Sequence, residues 1–440
     1  MTNIPKKELI LINPCVSHPI SRIVVYLLAR SKLPLSLLTL AALTPKEYKI
    51  RIFNLKIFWF NWDFTKDAFV GITCLTANAF EAYKLADRYR KAGASVVMGG
   101  PHVSCLPEEA LQHADSVVIG EAESVWQEVI KDFENKSLKR IYKGEPITDF
   151  FSPVYDYFLN LNPGILHRAG IAASRGCKYH CDFCSRPFQE LRFAKVDQII
   201  EIAKIMKRDT RGLSIGRPTI IFQDDDIFSS PPYSKELFKK LIPLKIKWVA
   251  TCTIDLAFDD EALRLAKESR CTCLMMGFET IFPKQYEKTS THHIASTEDY
   301  IKAIKKIKSY GIKIVGTFMI GLDSYTHLDY LKLLKFLIKA RLWFVSLTIL
   351  TPFPGSKLFE RLKKEDRIVT FNWNEYDCIQ NVIFRPKNMS RLSVKLWFII
   401  IRIITLGFSP LFIILYLQAI ILLCISYYLS FYITKTLFYF

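Results

Sequence analysis

The feature that most constrains this chain is an alternation that occurs twice: short β-branched runs separated by stretches with helical periodicity. The first series has candidate strands at residues 8–12, 48–53, 69–74, 95–98 and 116–119. Between the third and fourth, Phe80, Tyr83, Ala86 and Tyr89 recur every three residues and form one apolar helix face, which stops at Gly93. Strands that alternate with helices imply crossover connections and a parallel sheet. The expected class is therefore α/β, with a Rossmann-like unit first. Ligands of such sheets bind outside the carboxyl ends of the strands, where residues 73–78, 99–102 and 120–123 project.

The second series has candidate strands at 170–174, 219–223, 247–252, 272–277, 313–319 and 344–349. Six βα units in succession predict a partial (β/α)6 TIM-type barrel, with its chemistry on the loops after the strand ends. A polar stretch rich in Pro, Gly and Asp separates the two series and reads as a linker. The expected organisation is a Rossmann-like domain at 1–135, a linker at 136–163, a barrel core at 164–355, an extension at 356–395 and a helical hydrophobic tail at 396–440.

With 440 residues, half of them hydrophobic, the chain can bury sizeable cores without disulfides. Residues 9–12 form only a short apolar run, so no signal peptide is expected, and the eleven cysteines read as reduced thiols: ligands, catalysts or small buried groups. Cys271 and Cys273 are expected to be buried thiols of a strand. The net charge of +18 is spread along helical patterns such as Lys302, Lys305, Lys306 and Lys308, and no nucleic-acid-binding signature accompanies it. No nucleic-acid partner is expected.

The tail differs from the rest. Residues 403–434 carry no charge, and the part after Pro410, 411–433, would reach about 35 Å as a helix, against a hydrocarbon core of about 30 Å. Arg385, Lys387, Arg391, Lys395 and Arg402 precede it and only Lys435 follows, while Trp397, Tyr427, Tyr428 and Tyr432 flank it as interfacial anchors. The expectation is a transmembrane helix, with cytoplasmic catalytic domains anchored to the inner face of the cell membrane. An apolar helical hairpin packed on the barrel or on a partner is the other reading.

The most informative segment is GCKYHCDFC at 176–184, on the loop after the first strand of the second series. Cys177, Cys181 and Cys184 at C-x3-C-x2-C spacing can each bind a different iron of a [4Fe–4S] cubane. The fourth iron then lacks a protein ligand and can chelate the amino and carboxylate groups of S-adenosylmethionine. The same cysteines with His180 or a distant donor could instead hold structural zinc, which would make the chain a non-catalytic membrane-anchored module.

With Phe183 before the last cysteine, this loop resembles the radical SAM superfamily, whose motif is C-x3-C-x-aromatic-C. IFQDDDIF at 221–228, MGFE at 276–279, GTFMIG at 316–321 and TPFPG at 351–355 look like further segments of that superfamily. The resemblance implies an S-adenosylmethionine site that includes Phe183, Asp225 and Glu279, the last on the ribose, with Gly316, Gly321 and Pro352 shaping the adenine and methionine pocket. LPLSLLTLAA at 33–42, GGPHVSCLPE at 99–108 and GEAE at 120–123 look like the B12-binding domain that precedes many radical SAM domains. This implies a cobalamin site near Thr73, Gly99, Gly100, His102, Gly120 and Glu121. The D-x-H-x-x-G motif is absent, and His18 lies outside that context, so cobalamin would be held without a histidine ligand.

Over residues 8–395 the likeness narrows to the branch that includes the hopanoid C-2 methylase, carried by Trp248 after IPLKIK, EDRIV at 365–369, Trp373, Tyr376 and Asp377. It implies that the cluster, reduced by a low-potential donor such as flavodoxin or ferredoxin, cleaves S-adenosylmethionine to a 5′-deoxyadenosyl radical. The implied outcome is cobalamin-dependent methylation of an unactivated carbon of a lipid, isoprenoid or other hydrophobic substrate. Cyclisation, oxidation or rearrangement without methyl transfer is the alternative within the superfamily.

Overall fold

The computed structural model describes residues 7–15, 33–54, 66–161, 165, 170–186, 190–208, 219–282 and 294–406. The first series folds into a six-stranded sheet of β1 (Glu8–Asn13), β2 (Lys49–Asn54), β3 (Phe69–Thr73), β4 (Ser95–Gly99), β5 (Ser116–Gly120) and β6 (Ile141–Gly144). Their order is β2-β1-β3-β4-β5-β6, and every pairing is parallel. The inner strands read as continuous apolar runs because both faces are covered. Alternate residues of β1 and β3 divide between two layers. Leu9, Leu11 and Phe69 pack with Trp126, while Ile10, Ile12, Val70 and Ile72 pack with Tyr83, Ala86 and Tyr89. Covering helices include α1 (Leu35–Leu43), α2 (Ala79–Lys91), the short α3 (Pro101–Cys105) and α4 (Trp126–Glu134). The sheet includes β6, which lies inside the stretch whose composition reads as a linker.

The second series forms β9 (Thr219–Ile221), β10 (Lys247–Cys252), β11 (Cys271–Glu279), β12 (Lys313–Ile320) and β13 (Phe344–Ile349), a parallel sheet in the order β13-β12-β11-β10-β9. Ile171 continues it through a parallel bridge to Phe222, so the strand expected at 170–174 is reduced to that bridge. The chain then leaves the sheet. Ser174–Arg175 (β7) and Arg192–Phe193 (β8) pair as an antiparallel ribbon around the cysteine loop.

One face of the curled sheet is sealed by helices. Trp248 is buried and stacks at 5.0 Å on Phe238 of α5 (Pro231–Leu241). Phe278 stacks on Phe318 at 5.1 Å, and both meet Phe336. Phe336 lies on α7 (His327–Ala340), whose neighbour α6 (Thr297–Ser309) adds Tyr300 against Phe278. The alternate residues turn to the opposite, concave face, where Met275 in the middle of the central strand is 44% exposed.

The C-terminal extension returns to the first domain. After α8 (Lys357–Lys364), Trp373, Tyr376 and Ile383, together with Phe359 of α8, join the apolar cluster beneath the first sheet, and Trp373 Nε1 donates to Glu109 at 2.7 Å. The final described helix, α9 (Arg391–Leu406), buries Val394, Phe398 and Ile401 against the barrel. Its Trp397 stacks on Tyr330 of α7 at 5.4 Å and donates to His327 at 3.0 Å. This corrects the reading of 396–440 as a membrane tail. The first part of that range belongs to a helix that carries Arg391, Lys395 and Arg402 and uses Trp397 for packing. Among the described residues no helix is long and apolar enough to cross a membrane. Residues 411–433 lie outside the described residues.

Candidate active site

The cysteine loop begins where the backbone turns out of the barrel, at Gly176 with φ +87°, a conformation that favours glycine. Cys177, Cys181 and Cys184 are all partly exposed, and the Cys184 N–H donates to the Cys181 carbonyl at 3.1 Å. Carboxylates brace the loop from below. Asp224 is fully buried, accepts from Ser174 Oγ at 2.5 Å and from the Ala173 N–H at 3.1 Å, and burial pushes its carboxyl up to about 6 despite those bonds. Asp226 accepts from the Thr253 N–H and hydroxyl, both at 3.1 Å, which fixes the end of β10. Between them Asp225 is turned to Arg186, with which it forms an ion pair just past the last cysteine.

Beside the loop, Tyr179 donates to Asp255 Oδ2 at 3.2 Å, and Oδ1 of the same carboxylate is buried with no hydrogen-bond partner. An unsatisfied anionic acceptor at that depth needs a donor. Glu279 stands at the carboxyl end of β11 in a bulge, at φ +61°. Phe183 packs on the barrel core, and Pro352 is buried after β13. Gly321, at φ +97°, donates its N–H to Tyr330. Gly316 turns its bare side away from the concave face. A Cβ there would strike Leu342, Phe318 and Phe278, so its bare face meets the helix layer, and the neighbouring Thr317 occupies the concave side.

At the carboxyl edge of the first sheet, Ser36, Leu37, Leu40, Gly71, Thr73, Gly99, Val118, Ala122 and Trp126 are among the residues lining an apolar cavity of about 60 Å³. Gly99 and Thr73 therefore share one wall. Gly100 has φ +104°, and a side chain there would strike the Cys74 backbone, so the chain can turn closely beneath this edge only with glycine. Gly120, at φ +85°, donates to Ser104 at 3.0 Å.

Two expected cobalamin residues are committed to other partners. His102 is 1% exposed, with one ring nitrogen 3.1 Å from Thr76 Oγ1 and the other 3.1 Å from the Tyr83 hydroxyl. The Glu121 carboxylate accepts two bonds from Arg192, at 2.9 and 2.5 Å, and Arg175 lies 3.5 Å away. Burial raises the Glu121 carboxyl, but these guanidinium groups outweigh that and hold it below its ordinary range.

The two edges meet. A side chain at Gly355 would collide with the Cys105 sulfur of α3, and the Leu358 N–H donates to the Asp182 carbonyl of the cysteine loop at 2.8 Å. The segment after β13 thus touches the cysteine loop on one side and the first domain on the other.

Comparison with known proteins accounts for this arrangement. The family model described as the radical SAM superfamily matches residues 171–337, and the one described as the B12 binding domain matches residues 63–130. The chain belongs to the B12-binding-domain-containing radical SAM family. It is 29% identical to the bacteriochlorophyllide d C-12(1)-methyltransferase of Chlorobaculum tepidum, over 81% of this chain and 79% of that protein. It is 24% identical to the hopanoid C-2 methylase of Rhodopseudomonas palustris, over 76% of this chain and 65% of the other. The fold is similar to that of the radical S-adenosylmethionine methyltransferase TsrM from Kitasatospora setae. Their TM-score is 0.63 at 15% identity, and the match covers 82% of this chain and 78% of that one.

As a member of this family the chain is a cobalamin-dependent radical SAM enzyme, and its cofactors are a [4Fe–4S] cluster, S-adenosylmethionine and cobalamin. The donor set fits. Three thiols on one loop match a cubane with one open iron, since each sulfur serves a different iron and the three need not converge. The apolar cavity at the edge of a Rossmann-like sheet is a natural seat for part of a corrinoid.

Sequence reading missed Arg175, Arg192 and Asp255, and gave Glu123 no role beyond its place in the projecting 120–123 segment. The first two bracket the cysteine loop and Glu123 belongs to the quoted GEAE segment, so a signal was present in their placement. Asp255 had none.

Proposed function

We propose that this enzyme is a C-methyltransferase acting on an unactivated carbon of a lipid-like or other large hydrophobic substrate, with the cluster on Cys177, Cys181 and Cys184. When bound, the reduced cluster and S-adenosylmethionine supply the radical that abstracts hydrogen, and cobalamin supplies the methyl group. The observation that carries the reading is the approach of the two carboxyl edges, seen in Gly355 against Cys105 of the first domain, on a segment that also holds the cysteine loop through Leu358 and Asp182. It allows one substrate carbon to be served from both domains.

The residues of the chain bind and orient in this reading. Asp255, steered by Tyr179, accepts hydrogen bonds from the cationic cosubstrate, and Glu279 accepts them from its ribose. Asp225 with Arg186, Phe183, Gly321 and Pro352 bound the same space. Thr73, Gly99, Gly100 and Gly120 form the small-residue rim on the cobalamin side. The concave face carries Val249, Met275 and Val315 and excludes water from an apolar substrate.

The test is turnover. Enzyme made anaerobically with cobalamin, reduced by flavodoxin and given S-adenosylmethionine and a lipid extract, should form 5′-deoxyadenosine and S-adenosylhomocysteine in equal amounts together with a methylated product. Formation of 5′-deoxyadenosine alone would replace methylation by cyclisation, oxidation or rearrangement.

A further inference from the structure

The loop that carries the three cysteines is tied at both ends to the other domain. In the β7–β8 ribbon, Ser174 pairs with Phe193 and Arg175 directly with Arg192, so the cysteine loop departs from that base. Two like charges placed opposite each other on paired strands repel. The anions that neutralise them come from the segment after β5. Arg192 donates to both oxygens of Glu121, at 2.9 and 2.5 Å, and to the Ile147 carbonyl at 2.8 Å. Arg175 lies 2.8 Å from Glu123 and 3.5 Å from Glu121. The Arg192 side chain is 5% exposed and that of Glu121 15%, so the fork is largely withdrawn from water, where bidentate guanidinium–carboxylate geometry is most directional. Behind Glu121, Gly144 of β6 is bare, and a Cβ there would overlap the Glu121 backbone, which is how the segment reaches this position.

We propose that Arg175, Arg192, Glu121 and Glu123 form a positioning clamp that sets the distance and angle between the cluster loop and the cobalamin-bearing edge. The clamp rests on the methyl-transfer reading above. That reaction requires one carbon to lie within contact range of two cofactors carried by two different domains, and displacements of about 1 Å are enough to cost such a reaction about a hundredfold. An apolar interface alone resists separation but permits sliding. Two crossed ion pairs at the base of the loop fix register and rotation.

The experiment compares the wild type with Arg192→Lys, Arg192→Gln and Glu123→Gln, all as anaerobic holoenzyme with iron and cobalt content measured. Two readouts are taken. One is methylated product per 5′-deoxyadenosine released. The other is the distance distribution between the reduced cluster and cob(II)alamin by pulsed electron paramagnetic resonance, which needs no turnover. Arg192→Gln is expected to keep its metal content and to release 5′-deoxyadenosine within about twofold of wild type, while product per 5′-deoxyadenosine falls at least tenfold and the distance distribution broadens. Arg192→Lys, which keeps the charge but loses the fork, is expected to fall between the two, and Glu123→Gln to show a smaller effect of the same kind. The clamp is overturned if the distances stay as narrow as in the wild type, or if cobalt is lost in proportion to product, which would make the quartet a cobalamin-binding or folding element. If the wild type itself makes no methylated product, the methyl-transfer reading fails, and the distance measurement still decides whether the clamp holds the two centres.

Discussion

The two sheets of this enzyme solve the same packing problem in opposite ways. The first is flat enough to be covered on both faces, and Trp126 is as buried beneath one as Tyr89 is beneath the other. Among the described residues a ligand finds room at its carboxyl edge. The second is curled, with Trp248 and Phe278 sealed under helices while Met275 on the opposite side is 44% exposed. On the proposed reading this face is left for cosubstrate and substrate. A sheet with two closed faces can therefore hold a cofactor at its rim without losing core. A curled sheet spends half its side chains on the site and must be stabilised by the other half.

The largest effect tests the loop that serves the open face. Cys181→Ala should abolish 5′-deoxyadenosine formation, with the iron content of anaerobic protein falling and the cobalt content unchanged. Retained cleavage would detach the chemistry from this loop. Next comes the contrast in cores. Trp126→Ala should cost about 3–5 kcal/mol in denaturant unfolding, because a large ring leaves a cavity between covered layers. Met275→Ala should cost less than about 1 kcal/mol while altering the KM for substrate. Equal losses would erase the distinction between the two faces.

A third change sharpens the view of the edge. Ala122→Phe places a ring in the cavity beside Gly99 and Thr73 and should lower cobalt content severalfold, with iron content and 5′-deoxyadenosine formation retained. The smallest effect is on acid stability. The Glu121 carboxyl is held below its ordinary range in the fold, so its contribution is full above the unfolded value of about 4.3 and is lost as pH falls through the lower folded value. The stability difference between wild type and Glu121→Gln should thus be constant near neutrality and shrink below about pH 4 in urea titrations. A difference that grew on acidification would contradict the pairing with Arg192.

Much of this was legible in sequence because the signals are local. Runs such as FVGIT and SVVMG, short, β-branched and set between helical patterns, read as buried strands, and the cysteine spacing is contained in eight residues. β6 was hidden because it is an edge strand of four residues, of which only Tyr142 and Gly144 are buried, set among polar neighbours. The turn of Gly316 toward the helices was also hidden. Side chains in a strand alternate, so an error of one residue exchanges the two faces, and GTFMIG carries no mark of which register applies. The ion pairs between Arg192 and Glu121 bridge 71 residues, and no periodicity reports a contact across two domains. The membrane expectation failed in its first part because Trp397, Val394, Phe398 and Ile401 of α9 pack on the barrel, although Leu396, Ile399, Ile400 and Ile403 on its outer face stay exposed.

The return of the C-terminal extension has a consequence for biogenesis. Phe359, Trp373, Tyr376 and Ile383 complete an apolar layer whose other members are synthesised some 250 residues earlier, and Trp373 reaches Glu109 across 264 residues. A nascent chain emerging from the ribosome would present the first domain with part of its underside bare until almost the entire polypeptide has been made. Contacts that close so late are slow to form and leave apolar surface available for aggregation. The first domain is therefore the last to complete its apolar layer, although it is the first to be translated.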